Sequence, residues 1–394
     1  MKKMLFISNC MHGEGLSGGD RIWIELAKRW NCKFMLEVFT SVEAKKVCEK
    51  LKITDLKFVK LLPMWQNYNL IFNLIYRIIN SIRNLPGANN YNMVYSTSDL
   101  WPDVIPAFFM KVRNPDIKWI AGFYLFAPNP WGKDSPYKDT IKNRTIGFFY
   151  WLMQRLFSYW CIKKYADIVF VTSEPDVDRF VTKKRSRNKI VVIRGGVDIK
   201  ASEEYFSSLQ VIPIENRVYD TCFVGRFHYQ KGVLELVDIW KLVCEEEPSA
   251  KLAMIGNGPL ETTVRDKICN LGLKKNIDLL GFRDGDEKYK IFKESKLVVH
   301  PATYDSGGMA AAEAMAWGLP GVSFDLEALK TYYPKGMLKT KCFNTREFAK
   351  NILLLLRDTE LYNKLHNEAL DIIRDEWNWD KRADYIYGMV STLD

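Results

Sequence analysis

Short apolar runs alternate along the chain with segments whose apolar residues recur about every 3.6 positions. In the first half the runs predict strands at 4–7, 34–39, 93–95, 119–121, 168–172 and 190–193. In the second half they predict strands at 221–224, 251–255, 277–280, 297–299 and 321–324. Segments of helical period separate most of them, among them GVLELVDIWKLVCEEEP from Gly232. This alternation predicts an α/β protein with parallel, doubly wound sheets. A polar break at 198–217 parts two such series, so two Rossmann-like domains are expected, with ligands at the C-terminal ends of strands, in the cleft that the domains face across. The final amphipathic stretch, EWNWDKRADYIYGMV, predicts a closing helix that packs back on the first domain.

One predicted helix breaks the apolar rule. In HPATYDSGGMAAAEAMAWGLP, Glu313 shares a helix side with Met309, Ala310, Ala316 and Trp317, three and four residues away. A carboxylate on such a face is costly unless something partners it, either a buried cation or a ligand. Gly307 and Gly308 stand where the helix begins, so its unpaired N–H groups face outward as an anion site, and Asp305 stands just ahead. Carboxylates for hydroxyls beside N–H groups for phosphate are what a sugar nucleotide requires.

A second stretch, FVGRFHYQKGVLELV, places Arg226 and Lys231 in a loop after a predicted strand. Cations there suit a diphosphate leaving group, on which negative charge grows as a sugar bond breaks; two solvated loop residues are the plain alternative. MIGNGP, with Gly256 and Gly258, is a strand-to-turn glycine pair of low specificity on its own. GLSGGDRIWIELAKRW follows the first strand without the full G-x-G-x-x-G fingerprint, and Gly18 and Gly19 fit either a close ligand or a simple turn.

Composition narrows the classes. The 394 residues suffice for two domains, and 47% apolar with 26% charged argues for packed cores. The longest apolar runs reach about eight residues, well short of the roughly 20 that span a bilayer. The opening MKKMLFISNC reads as a first strand, not as a signal peptide, and the eight cysteines read as cytoplasmic thiols. The four histidines pair with no cysteine at metal-ligand spacing, so no metal is expected. Charge is uneven: residues 1–194 hold 31 Lys and Arg against 16 Asp and Glu, and residues 195–394 hold 26 against 31. A basic half implies an anionic partner. Two stretches there, 61–85 with Arg77 and Arg83, and the aromatic 143–166, fit either core helices or helices lying in a membrane interface. Together with the charge they favour a peripheral enzyme on the inner face of a membrane, with a lipid-linked acceptor.

The combination resembles the retaining nucleotide-sugar glycosyltransferases of family 4, which have the GT-B fold. The resemblance is carried by G-R-x(4)-K-G at 225–232, G-x-G-P at 256–259, and an acid-x(7)-E signature from Asp305 to Glu313. SGGDR…ELAKR, IVFVTSE, RGGVD and WNWDKRADYIY resemble the family's start, last first-domain strand, hinge and terminal helix. The resemblance implies an acceptor-binding domain at 1–195, a donor-binding domain at 196–375 and a returning helix at 376–394. Arg226 and Lys231 would hold the donor diphosphate, Gly307, Gly308 and Met309 would offer it N–H groups, and Gly18, Gly19, Gly256 and Gly258 would line the donor. Glu313 would bind the ribose, Asp305 the sugar hydroxyls, and Phe282 would contact the base. The implied reaction is metal-independent hexosyl transfer with retention from a nucleoside-diphosphate sugar, which is co-substrate rather than cofactor.

Three positions depart from the family. Asp305 stands where Glu is usual, Gly195 replaces the hinge Asn, and the first-domain His near the reacting sugar is absent from WIAGFYLFAPNPW. Tyr124 is nearest to that position, and His12 is the other acceptor-side candidate. A nucleotide-sugar epimerase of the same architecture, an inactive relative, and a non-catalytic binder of anions or nucleic acid stay open, though no nucleic-acid motif accompanies the charge and no nucleic-acid partner is expected.

Overall fold

The computed structural model describes residues 1–392 except 12–16, 51–52, 54, 63–69, 133–134, 136, 138–139, 194 and 305–308, with backbone alone at 50, 70, 71, 328 and 331. Two compact units divide the chain, one of residues 1–195 with 382–394 and one of residues 196–381.

The first unit is built on seven strands: β1 (Lys3–Ser8), β2 (Met35–Ser41), β3 (Lys57–Leu62), β4 (Met93–Ser96), β5 (Lys118–Gly122), β6 (Ile168–Val171) and β7 (Ile190–Val192). All pair in parallel, in the order β3-β2-β1-β4-β5-β6-β7. The central strands are buried on both faces, which is why they read as continuous apolar runs. The helix Gly18–Trp30 starts at a capping box between Ser17 and Asp20 and turns Ile22, Trp23, Leu26, Ala27 and Trp30 into the core. Trp30 Nε1 donates to Ala383 O at 3.0 Å, so the closing helix Trp379–Ser391 joins this unit from Arg382 onward.

The second unit holds six parallel strands: β8 (Tyr219–Val224), β9 (Leu252–Ile255), β10 (Ile277–Gly281), β11 (Ser295–His300), β12 (Gly321–Phe324) and β13 (Met337–Thr340), in the order β10-β9-β8-β11-β12-β13. The order reverses between β8 and β11, the switch point beside which such sheets take ligands. Together the two sheets are the doubly wound α/β architecture expected.

Several local expectations change. β3 and β13 were not anticipated; each is an edge strand, and the partly exposed, Lys-containing KFVKLL and MLKT carry little apolar signal. The stretch 61–85 is not one helix: it begins in β3, residues 63–69 lie outside the described residues, and the helix is Leu70–Arg83. The polar break at 198–217 contains the helix Lys200–Phe206. The aromatic stretch is a helix Ile141–Met153, a π-helical turn Gln154–Ser158 and a helix Tyr159–Tyr165.

Beneath the strand ends of the first unit lies a polar cluster. Asp103 accepts from Asn9 N at 2.6 Å and from Ser98 Oγ at 2.5 Å. Arg77 donates to Asn9 O at 2.7 Å and Met11 O at 3.2 Å, and pairs with Glu43 at 3.2 Å. Arg77 is therefore an internal clamp, not a cation set against lipid headgroups. Burial holds the Asp103 carboxyl up at about 7 and that of Asp99 up at about 6. The folded chain keeps both protons more tightly than the unfolded one, whose carboxyls titrate near 4. Their contribution is fully present below the unfolded value and is lost as pH rises through about 6 and 7. Glu37 has the opposite sign. Burial raises it, but hydrogen bonds from Lys57, Tyr91 and Lys3 outweigh that and bring it to about 2, so its contribution is lost as pH falls from 4.5 toward 2. The melting temperature should therefore fall between pH 5 and 8, and Asp103→Asn should flatten most of that fall. An unchanged slope in that variant would assign the dependence to other groups.

Candidate functional site

In the second unit the C-terminal ends of β8, β9, β10 and β11 are bonded to one another by backbone. Gly225 N donates to Ile255 O (3.0 Å), Gly256 N to Gly281 O (2.8 Å), Phe227 N to Asn257 O (2.8 Å) and Leu260 N to Phe227 O (3.1 Å). Thr303 N donates to Gln230 O at 3.0 Å, tying the segment after β11 to the loop after β8. Three glycines make these approaches possible. Gly232 has φ 62°, and a Cβ there would lie 1.8 Å from Pro301 O. Gly256 has φ 138°, and its Cβ would lie 1.9 Å from Gly225 O. Gly258 is hemmed in the same way by Phe227, whose carbonyl oxygen an added Cβ would approach to 2.6 Å. The glycines of G-R-x(4)-K-G and G-x-G-P thus fit one loop against the other, which accounts for their spacing without a ligand.

On this frame the structure places Arg226 exposed in the loop after β8, and Lys231 at the end of the turn Tyr229–Lys231. Between them His228 is half-buried, and its Nδ1 accepts from Gln230 N at 3.4 Å. Burial first, then the charges of Arg226 and Lys231, lower its pKa, so it stays neutral at pH 7. Phe282 follows β10 with 61% of its surface exposed. Met309 opens the helix Met309–Met315, and Asp305, Gly307 and Gly308 lie outside the described residues.

Glu313 has a partner that the sequence reading did not name. Lys288 Nζ, on the helix Gly285–Lys293, lies 2.9 Å from Glu313 Oε2 and 2.7 Å from Asp284 Oδ1. The lysine side chain is 6% exposed and that of Glu313 14%. A buried cation thus holds the carboxylate while Ala311, Ala312, Ala314 and Met315 pack beneath it. The signal available in sequence was the i,i+4 pair of Asp284 and Lys288, an ordinary helix pattern that does not point to a distant Glu.

In the first unit Tyr124 is buried. Its hydroxyl hydrogen-bonds that of Tyr95, and burial pushes its pKa well above the usual phenol range. Its ring lies against Gly19, where a Cβ would come within 3.0 Å of Cδ2. Gly19 is therefore a seat for an aromatic ring, and Gly18 is the first residue of its helix. His12 lies outside the described residues. The sequence reading did not foresee Gln154. Its Nε2 donates to Asp99 Oδ2 and Leu125 O, each at 2.7 Å, and its Oε1 accepts from Ala127 N at 2.7 Å.

The comparisons with known proteins bear on the class of the second unit and on the fold. Residues 207–371 match the family model of the glycosyl transferases group 1. An uncharacterized glycosyltransferase of Methanocaldococcus jannaschii is 29% identical over 212 residues, 50% of this chain and 52% of its own. The poly(glycerol-phosphate) alpha-glucosyltransferase of Bacillus subtilis is 23% identical over 163 residues, 40% of this chain and 24% of its own. The crystal structure of HepE from Anabaena, in complex with UDP and glucose, superposes with a TM-score of 0.70 at 16% identity and covers 100% of both chains. Residues 207–371 thus resemble the group 1 glycosyltransferases, and the chain as a whole has the GT-B fold. It spans about half the length of the first curated relatives it matches.

Two substitutions test the frame. Lys288→Met would leave Glu313 facing a buried apolar chain, and breaking such a pair costs roughly 3–5 kcal/mol. Glu313→Gln in that background should recover part of the loss, as coupled neighbours do. Chemical denaturation measures both, and a Lys288→Met protein within about 0.5 kcal/mol of the parent would show the pair to be no more than a surface one.

Proposed function

We propose that the protein transfers a sugar, with retention, from a nucleoside-diphosphate sugar to a hydroxyl acceptor. The acceptor in this reading is a lipid-linked or cell-surface glycan precursor, met at the inner face of an anionic membrane. One observation carries the donor half. At the strand ends around β8 and β11, inside the segment that matches the family, a cationic loop, an exposed aromatic ring and a carboxylate held by a buried lysine stand on one bonded frame.

The chemistry follows from charge. As the bond between the sugar and the diphosphate lengthens, positive character grows on the sugar and negative charge on the leaving group. Arg226 and Lys231 take up that negative charge, with N–H groups of Gly307, Gly308 and Met309 adding to them. No metal is needed in this reading, because the two cations do that work. Asp305 orients the sugar through its hydroxyls, Glu313 holds the ribose, and Phe282 offers its ring to the base. Gly256 and Gly258 keep the loops close enough for these groups to converge. The departing phosphate takes the acceptor's proton. On the acceptor side this reading assigns Tyr124 and His12, while Gly18 and Gly19 line the donor. That HepE was solved with UDP and glucose supports a nucleoside-diphosphate hexose as donor.

A thermal-shift screen with UDP, GDP, ADP and dTDP compounds tests the donor. At a hundredfold excess over Kd, binding stabilises by about 2.7 kcal/mol. One nucleoside diphosphate should raise the melting temperature, and Lys231→Ala or Arg226→Ala should abolish most of the rise. Silence across all four would contradict the reading.

A further inference from the structure

Among the described residues, no helix is long and apolar enough to cross a membrane. Yet the helical stretch that leads to β6 leaves much apolar surface in water. Ile141 (85%), Ile146 (39%), Phe149 (43%), Leu156 (64%) and Trp160 (48%) are exposed along it. Between residues 141 and 165 the chain holds five cations and no carboxylate. Lys142, Arg144, Arg155 and Lys164 are all exposed. Arg155 lies over the Trp151 ring at 4.9 Å and Lys164 over the Trp160 ring at 5.1 Å. Trp131, 62% exposed, stands 5.1 Å from Phe148 and adds to the same patch. The helix Leu70–Arg83 repeats the pattern with Phe72 (64%), Ile75 (46%) and Ile79 (42%) outward at spacings of three and four, and with Arg83 exposed. Both stretches pack on the helix Trp101–Arg113.

We infer that these two stretches form the surface on which the protein rests against an anionic lipid bilayer. The inference rests on the membrane reading above and names its contact. Exposed aromatic and aliphatic side chains interleaved with cations, and free of acids, match an interface whose acyl boundary takes apolar rings and whose headgroups are negative. The chemistry favours lipid over a second protein, since a protein partner would have to supply a patch both apolar and strongly acidic. The longer stretch also reaches inward. At its π-helical turn Gln154 turns away from the exposed stripe and bonds Asp99 after β4 and the residues 125–127 after β5, next to Tyr124. The element that meets lipid is thus fastened to the strand ends assigned to the acceptor.

Co-sedimentation of the full chain with phosphatidylcholine vesicles, with and without about 30 mol% phosphatidylglycerol, tests this at low and high salt. Binding is expected to the anionic vesicles and to weaken with salt. Arg155→Glu with Lys164→Glu should lower partition about tenfold or more, and Phe149→Ser with Trp160→Ser should lower it at any salt. All four residues are outside the proposed donor site, so these variants should keep the nucleotide-induced thermal shift, which also reports that they fold. No binding to anionic vesicles at low salt would overturn the inference. So would equal binding to neutral vesicles, or self-association in solution that the same substitutions abolish. A nucleotide shift without vesicle binding removes the surface and leaves the transferase; vesicle binding without any nucleotide shift does the reverse.

Discussion

The second unit depends on one contact, the touching of backbone with backbone where β8 and β9 end. Parallel strands leave their last N–H and C=O groups without a ladder partner, and buried groups of that kind must be satisfied nearby. Here each loop satisfies the next, through Phe227, Asn257, Leu260 and Gly256, and glycine is required because a Cβ at Gly256 or Gly232 would enter a carbonyl oxygen. The loop that carries Arg226 and Lys231 is therefore fixed at both ends before any ligand arrives. Preorganised cations lose little on binding, which suits the diphosphate role proposed for them.

Lys288 adds a second constraint of the same kind. A carboxylate on an alanine-rich helix would tend to turn toward water. With a buried ammonium at 2.9 Å it is held pointing in one direction. The pairing with a buried cation and the proposed ribose role are compatible, because Lys288 binds Oε2 and a carboxylate has lone pairs for further donors. What had stood as two competing explanations of Glu313 becomes one arrangement, in which the structural partner prepares the group that a ligand would use.

Much of the fold was legible because parallel strands buried on both faces leave unbroken apolar runs, as at β1, β4 and β6. Two of the four edge strands were not legible. β3 and β13 are partly exposed and carry lysines, so neither shows the unbroken apolar run of a central strand. Arg77 shows a second limit: on a helix of apolar spacing its charge suggested an outward cation, whereas it turns inward to Asn9, Met11 and Glu43. Period alone cannot tell which polar residue on a helix finds a buried partner from another element. The same holds for Lys288 and Glu313, 25 residues apart, and for Gln154 with Asp99. The motif glycines were found by spacing, but their reason is steric and lies in the neighbouring loop.

The stretch 141–165 unites what looked like alternatives. An aromatic helix with weak segregation of polar and apolar residues must be covered on more than one side. Met153, Gln154, Ser158, Cys161 and Ile162 turn inward, and Phe149, Leu156 and Trp160 turn outward. The π-helical turn divides these duties, because one extra residue in the turn rotates the helix beyond it and leaves Gln154 aimed at the strand ends. Core packing thus consumes only one side of the helix. The apolar surface left on the other side, bordered by cations, is the part of the sequence for which neither the sheet nor the proposed donor site has any use.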